Sequence, residues 1–207
     1  MRRVDPLHAF LGGEHVVEVY EVIDLAEEQL AMPALARVTL ADGARVEVRA
    51  VEPTDTSLLE ELLEHLSPDS RYRRFLKHME RLNARQLSYL TTLDHDRQEA
   101  LVAIDAATGA AVAVARYAAI VDDPGTAEIA IAVSDPWQRR GLGTMLLNRL
   151  AERARDHAIR RFSGLMLTDN TAIQKLMTSI GPVISRTAHG ATVELVVSAG
   201  LEDSGDE

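Results

Sequence analysis

The most constraining feature of this chain is a single run, AEIAIAVSDPWQRRGLGTMLLNRLAERA, from Ala127 to Ala154. It opens with the short β-type run AEIAIAV, a strand pattern, and closes with Leu142, Leu146, Leu150 and Ala154 at four-residue steps, a helix pattern. Between them lies the turn Gln138-Arg139-Arg140-Gly141-Leu142-Gly143-Thr144. A turn that feeds a helix leaves the first-turn N–H groups without intrahelical acceptors, and the helix dipole adds partial positive charge at the same place. Such a turn binds an anion, phosphate above all. Gly141 and Gly143 remove side chains where that anion must approach the backbone, and Arg139 and Arg140 add cationic donors at the rim. The turn is not a P-loop, because the Gly-Lys-Ser/Thr ending is missing. Nor is it a dinucleotide fingerprint, which needs a third glycine and a preceding parallel βαβ pattern. Taken alone, the two glycines are also compatible with close packing of the helix on a sheet.

The rest of the chain supplies the partners of this unit. Ala36 to Leu40 and Arg45 to Val51 alternate around Asp42-Gly43 and predict a hairpin. Three helices should follow. The first is capped by Thr54 or Asp55 and carries Leu58, Leu59, Leu62, Leu63 and Leu66; the second opens at Ser67-Pro68; the third is capped by Asn83 with Gln86. From Glu99 the runs EALVAIDAAT, GAAVAVARYAAIV and TAEIAIAVSD predict a three-strand antiparallel meander, with turns at Ala107 to Gly109 and Asp122 to Gly125. After the long helix, read from about Arg140, come the strand RFSGLMLT, a helix over Asn170 to Ser179, and two strands around His189-Gly190. The pattern predicts an α/β (α+β) fold: a mixed, mostly antiparallel central sheet with helices on both faces. Residues 1–35 read as an N-terminal extension, helical over Glu14 to Ala31 or else a strand; residues 36–199 as one domain; residues 200–207 as an acidic disordered tail.

Composition narrows the function. The net charge is −10, which disfavours nucleic acid as a partner, since phosphate neutralisation needs a basic face. No cysteine is present, so thiol nucleophiles, thiolate metal sites and disulfides are excluded. Charge and turn residues break every apolar run at the start, which predicts neither a signal peptide nor a membrane span, and hence a cytoplasmic location. Asp94-His95-Asp96 reads as a turn and not as a metal clip, with no metal expected, and His95 as a turn histidine bonding backbone before a second base. Arg71, Arg73 and Arg74 read as a solvated helix face with Tyr72 and Phe75 turned inward, and Trp137 as a packing anchor.

Gln138-Arg139-Arg140-Gly141-Leu142-Gly143 matches the Q/R-x-x-G-x-G/A motif of the GNAT N-acetyltransferase superfamily at every fixed position, and the order of elements from about Val38 to Val197 resembles that family too. LADGARVEVRAVEP, SPDSRYRRFL and LDHDRQEALVAI further resemble the Pat-type protein lysine acetyltransferases. The resemblance implies acetyl-CoA or another acyl-CoA as acyl donor and an amine acceptor, a protein lysine first. The donor's diphosphate would rest on Gln138, Arg139, Arg140, Gly141, Leu142, Gly143 and Thr144. Its pantetheine arm would lie along Ile129 to Val133, with Ile131, Ala132 and Val133 contacting it. Asn170 resembles the residue that bonds the CoA arm, although an ordinary helix cap explains it equally well. Glu128 corresponds to the glutamate base of Pat-type enzymes; a strand-end glutamate in a salt bridge is the alternative.

Two departures stand out. Methionine occupies position 177, where many members carry a tyrosine acid, and Gly181-Pro182 replaces the usual Gly-Phe. They leave two rivals: an N-acetyltransferase of small-molecule amines, and a non-catalytic acyl-CoA-sensing module. Residues 1–35 could pair protomers into a homodimer or cover the site.

Overall fold

A computed structural model describes residues 36–199. The N-terminal extension and the acidic tail lie outside the described residues. The elements are β1 Ala36–Thr39, β2 Arg45–Ala50, α1 Thr56–Glu64, α2 Pro68–Phe75, α3 Ala84–Thr91, β3 Gln98–Asp105, β4 Ala111–Ile120, β5 Asp123–Val133, α4 Leu142–Asp156, β6 Arg161–Leu167, α5 Thr171–Thr178, β7 Val183–His189 and β8 Thr192–Ser198. Short 3₁₀ turns at Pro53–Asp55 and Asp135–Trp137 precede α1 and the loop into α4. The strands form one sheet in the order β1-β2-β3-β4-β5-β6-β8-β7. Each neighbouring pair is antiparallel except β5 with β6, which are parallel. A parallel neighbour cannot be reached by a hairpin, and α4 is the crossover that makes it possible. The mixed sheet with helices on both faces expected from the sequence is the fold observed.

Strand parity divides the core in two. Leu101, Ala103, Ala113, Ala115, Tyr117 and Ala127 face α4 and α5, where Leu142, Leu146, Leu147 and Leu150 are buried completely. Burying one such leucine contributes roughly 1.5–3 kcal/mol, so these four hold the crossover helix to the sheet. The opposite parity, with Ala100, Val102 and Ala132, packs against Leu59 and Leu63 of α1, Phe75 of α2 and Leu87 and Leu90 of α3. Glu128 and Ala130 share that second parity.

Local capping follows the sequence at two helices and departs from it at one. Ser67 Oγ accepts from Ser70 N at 3.2 Å, and Asn83 and Gln86 close a reciprocal box at 2.9 and 2.8 Å. Asp55, expected with Thr54 as a cap of α1, turns backward instead. Its carboxylate accepts from Glu52 N at 2.7 Å and from both Arg49 Nη atoms at 2.5 and 2.6 Å, tying the end of β2 to the 3₁₀ turn. A forked guanidinium is a stronger partner for a buried carboxylate than a single backbone N–H. Two boundaries also shift. The β4–β5 turn is tighter than expected, because β5 already begins at Asp123, and α4 begins at Leu142 because Gly141 is left-handed at φ 81°.

Arg74 is a further correction. Arg73 lies on the solvated side, paired to Asp69 and Asp169, and Arg71 closes the α1–α2 junction by donating to the carbonyls of Glu64, Leu66 and Glu80. Arg74, one residue further round the helix, instead turns toward the sheet and lines an internal cavity.

Burial raises the Asp55 pKa, but the Arg49 hydrogen bonds and the Glu52 N–H outweigh it and hold the group below its ordinary value. The folded pKa therefore lies under the unfolded value of about 3.9, so the stabilisation is present above that pH and is lost as pH falls through the folded pKa. Asp55→Asn should cost about 2–4 kcal/mol in urea unfolding at pH 7, because it leaves Arg49 uncompensated, and the gap from wild type should narrow below about pH 4.

Candidate active site

The sheet opens where β5 and β6 part. Their pairing covers only Thr126 with Arg161, Ala127 with Phe162 and Glu128 with Ser163. Beyond Glu128, β5 continues to Val133 against β4 alone. Ser134 N donates to Val112 O at 2.9 Å, which sets the register. By alternation, Ala132, Ala130 and Glu128 spend their backbone groups on β4, whereas Ile129, Ile131 and Val133 direct theirs into the gap. Gln138 Nε2 confirms the direction by donating to Val133 O at 3.0 Å. Of the three residues expected along the arm of an acyl carrier, the structure thus brings Ile131 and Val133 to the gap. Ala132 is the exception: its amide is committed to Val114 and its side chain is buried in the second core.

At the top of the gap sits the turn. Arg139 (φ 59°) and Gly141 (φ 81°) are left-handed, and Gly141 is the N-cap of α4 without any side chain to cap it. The first α4 bond to close on it is Met145 N to Gly141 O, at 3.1 Å. The N–H groups of Leu142, Gly143 and Thr144 precede it in the first turn and have no intrahelical acceptor. The two glycines do different work. A Cβ at Gly141 would meet nothing within 4 Å, so its requirement is conformational; a Cβ at Gly143 would lie 3.2 Å from Leu176 Cδ2 and 3.4 Å from Ile131 Cδ1, so its requirement is close packing. Leu142 is buried in the α4 core and offers its amide alone, and Thr144 is half-buried.

The side chains around the turn are tethered. The Arg140 guanidinium stacks on Trp137 with its carbon 4.4 Å from the ring centroid and pairs with Asp42 in the β1–β2 turn. The hydrogen bond from Arg140, with the Ala44 N–H, holds the Asp42 carboxyl below its usual range. Arg139 is exposed at the rim. Gln138 Nε2 also lies 3.1 Å from Ser70 Oγ. Asp135 completes the bridge to α2, accepting from Ser67 N (2.9 Å), Ser67 Oγ (2.9 Å) and Ser70 Oγ (2.8 Å). Burial raises the Asp135 pKa, yet these three donors outweigh it and leave the group below its ordinary value.

Glu128 sits half-buried at the fork itself, on the face covered by α1 to α3, opposite Ala118 on one side and Ser163 on the other. Ser163 in turn donates to Glu194 Oε1 at 2.7 Å. Asn170 caps α5, its Oδ1 accepting from Ile173 N at 3.4 Å, which leaves its amide NH₂ donors for another acceptor. Met177 is buried and lies against Gly164 of β6, where an added Cβ would meet the Met177 Cε at 3.2 Å; it brings no hydroxyl to the gap. Pro182 O accepts from Ser198 N, joining the departure from Gly-Phe to the β8 end.

His95 is not brought to this site. Its Nδ1 lies 3.1 Å from Glu99 Oε1 on the α4 face, a side-chain partner in place of the backbone one expected from the sequence. Asp94 Oδ1 accepts from the N–H groups of Asp96, Arg97 and Gln98 and so builds the turn. Reading the sequence alone missed Asp42 and Asp135, and no local signal marks either, because their partners are remote in sequence.

The parallel pair thus parts beside a helix start whose first-turn amides have no intrahelical acceptor. The model of the acetyltransferase (GNAT) family matches residues 58–181, more than half of the chain, and the chain belongs to that family. It is an acetyltransferase, and the acetyl donor of this class is acetyl-CoA. Among similar proteins, the acetyltransferase PA5475 of Pseudomonas aeruginosa is 28% identical over 156 residues, 74% of this chain and 83% of its own length. The acetyltransferase Pat of Mycolicibacterium smegmatis is 32% identical over 127 residues, 61% of this chain; the match spans only 38% of that longer protein. The crystal structure of the GNAT domain of S. lividans PAT superposes with a TM-score of 0.74 at 28% identity, covering 82% of this chain and 99% of that domain. The protein is accordingly a Pat-like GNAT.

Gly141→Val should abolish binding of CoA in isothermal titration while the protein still unfolds cooperatively, since a β-branched residue cannot hold φ 81° without strain of about 1–3 kcal/mol. An unchanged affinity would show that the left-handed turn does not form the anion site.

Proposed function

We propose that this acetyltransferase moves the acetyl group of acetyl-CoA to a primary amine, a protein lysine first, by direct attack with Glu128 as general base. The observation that supports this reading most is the position of Glu128 at the fork, between the open backbone of Ile129 to Val133 and the helices α1 to α3. A lysine ammonium has a reference pKa of about 10.4, so it must lose a proton before its nitrogen can attack. Glu128, directly or through one water, takes that proton as the amine nitrogen bonds to the thioester carbonyl carbon and the carbon–sulfur bond breaks. The N–H groups of Ile131 and Val133 face the gap and stabilise the developing negative charge on the carbonyl oxygen. The amides of Leu142, Gly143 and Thr144, with Arg139 at the rim, hold the diphosphate.

Met177 offers no acid for the departing thiolate. A CoA thiolate is a tolerable leaving group, so its proton can come from solvent. The absence of cysteine excludes a Cys-acyl intermediate and favours transfer within a ternary complex. The lysine acceptor is supported by the likeness to Pat proteins. A panel of a lysine-bearing protein, free polyamines and aminoglycosides, read by mass spectrometry, separates it from a small-molecule acceptor.

Glu128→Gln should keep CoA affinity and lose about 100-fold to 10,000-fold in turnover; an unaffected rate would remove Glu128 from the base role. Acetyl-CoA at about 100 times its Kd should stabilise the fold by about 2.7 kcal/mol, read as a rise in Tm, and no shift at millimolar concentration would count against a donor site.

A further inference from the structure

The short helix α2 lies across the open end of the β5–β6 gap and is fastened on both sides. It packs against β5 and β6. On the β5 side, Asp135 accepts from Ser67 N, Ser67 Oγ and Ser70 Oγ at 2.9, 2.9 and 2.8 Å, and Gln138 Nε2 lies between Ser70 Oγ (3.1 Å) and Val133 O (3.0 Å). On the β6 side, Arg73 Nη1 meets Asp169 Oδ1 at 3.4 Å, in the turn between the end of β6 and Asn170. The two fastenings are unequal. The Arg73–Asp169 pair is long, and the Asp169 side chain is 74% exposed, so water screens it. The Asp135 fastening gathers three donors on one carboxylate, at the helix end where the dipole favours a negative charge.

The helix depends on that fastening. It has eight residues, fewer than the ~12 below which an isolated helix is marginal in water, and it buries Phe75 alone. Arg71 holds its middle by donating to the carbonyls of Glu64, Leu66 and Glu80, and Asp135 holds its start. A segment with one buried side chain opens more readily than the sheet beneath it. Asp135 itself belongs to the 3₁₀ turn Asp135–Trp137, which leads through Gln138, Arg139 and Arg140 into Gly141 and the first turn of α4. Trp137 N donates to Ser134 O at 2.8 Å and Gln138 N to Asp135 O at 3.3 Å, so this connection is closed on itself. An anion held by the amides of Leu142, Gly143 and Thr144 therefore steadies the same connection that carries Asp135. We propose that Asp135 is a positioning residue that transmits donor binding at the glycine turn to α2, so that α2 is held over the gap when acetyl-CoA is bound and opens more often when it is not. This rests on the proposed seating of the donor diphosphate on that turn. Held in place, α2 covers one face of the gap, opposite α4 and α5 on the other.

Hydrogen exchange of the full chain, read by mass spectrometry with acetyl-CoA absent or saturating, tests this in two segments: residues 67–76 for α2 and residues 142–146 for the first turn of α4. In wild type, acetyl-CoA should slow exchange in both, by about tenfold in α2. In Asp135→Ala the slowing should persist over residues 142–146 and shrink to under about twofold over residues 67–76. Asparagine can rebuild the bridge, its amide oxygen accepting from Ser67 N and its NH₂ donating to the two hydroxyl oxygens, so Asp135→Asn should return most of the α2 effect. Charge at the helix start alone would not be restored by that variant. Ser70→Ala, which removes one donor to Asp135 and the contact with Gln138, should lose part of the effect, and Arg73→Ala little of it. Equal slowing of α2 in wild type and Asp135→Ala would overturn the proposal, as would slowing over residues 142–146 with none over residues 67–76 in wild type. No slowing in either segment would overturn it together with the donor seat on which it rests. Asp135 is exposed, and its alanine variant should still unfold cooperatively in urea. If that variant does not fold, Ser70→Ala carries the test, and an undiminished α2 effect there overturns the proposal.

Discussion

The parting of β5 from β6 after Glu128 is the constraint on which the site depends. A parallel pair shares one ladder of hydrogen bonds, and here that ladder stops after three residue pairs. Beyond it the backbone groups that face the gap have no neighbouring strand, and Gln138 Nε2 meets the Val133 carbonyl. Under the proposed function this open edge is where an extended ligand with amide groups of its own completes the pairing. The first turn of the crossover helix α4 seats Gly143 closely against Ile131 and Leu176 beside the gap.

The two faces of the sheet divide the labour. On one, the leucines of α4 and the side chains of α5 bury the crossover and hold the anion turn in position. On the other, α1, α2 and α3 pack over the sheet and wall a small, mostly apolar cavity lined also by Arg74, Arg116 and Ala130. The walls are coupled to the turn through Asp135, whose carboxylate binds the start of α2 while Gln138 links Ser70 to the β5 carbonyl at Val133. The glycine turn, the end of β5 and α2 therefore share one hydrogen-bonded frame, and a shift of α2 would be felt at the turn.

The departures at Met177 and Gly181-Pro182 gain a physical meaning from packing. Met177 fills the space over Gly164, a position where the sheet has no side chain of its own, and it leaves the mouth of the gap to Leu176. A flexible thioether suits that irregular space. Pro182 serves the β8 end through its carbonyl. Both positions thus support the sheet next to the fork and leave the backbone of the fork intact.

Local patterning determined a good deal by itself. The short β-type runs of the meander, the four-residue steps of α4, the caps at Ser67 and Asn83 and the glycine turn are short-range effects, each set by a few adjacent residues and hence readable in order along the chain. The Gln138 to Thr144 turn was legible for the same reason, and Glu128 through its place on the strand leading to it. What the tertiary structure alone decided depends on strand register and on distant partners. Asp55 turns back to Arg49 because the end of β2 brings a fork of donors within reach. Ala132 drops out of the gap because pairing with Val114 fixes which amides face away from β4. Arg74 and Arg116, far apart in sequence and on different elements, become neighbours only when α2 packs over the sheet, and no local rule about helices or strands contains that encounter.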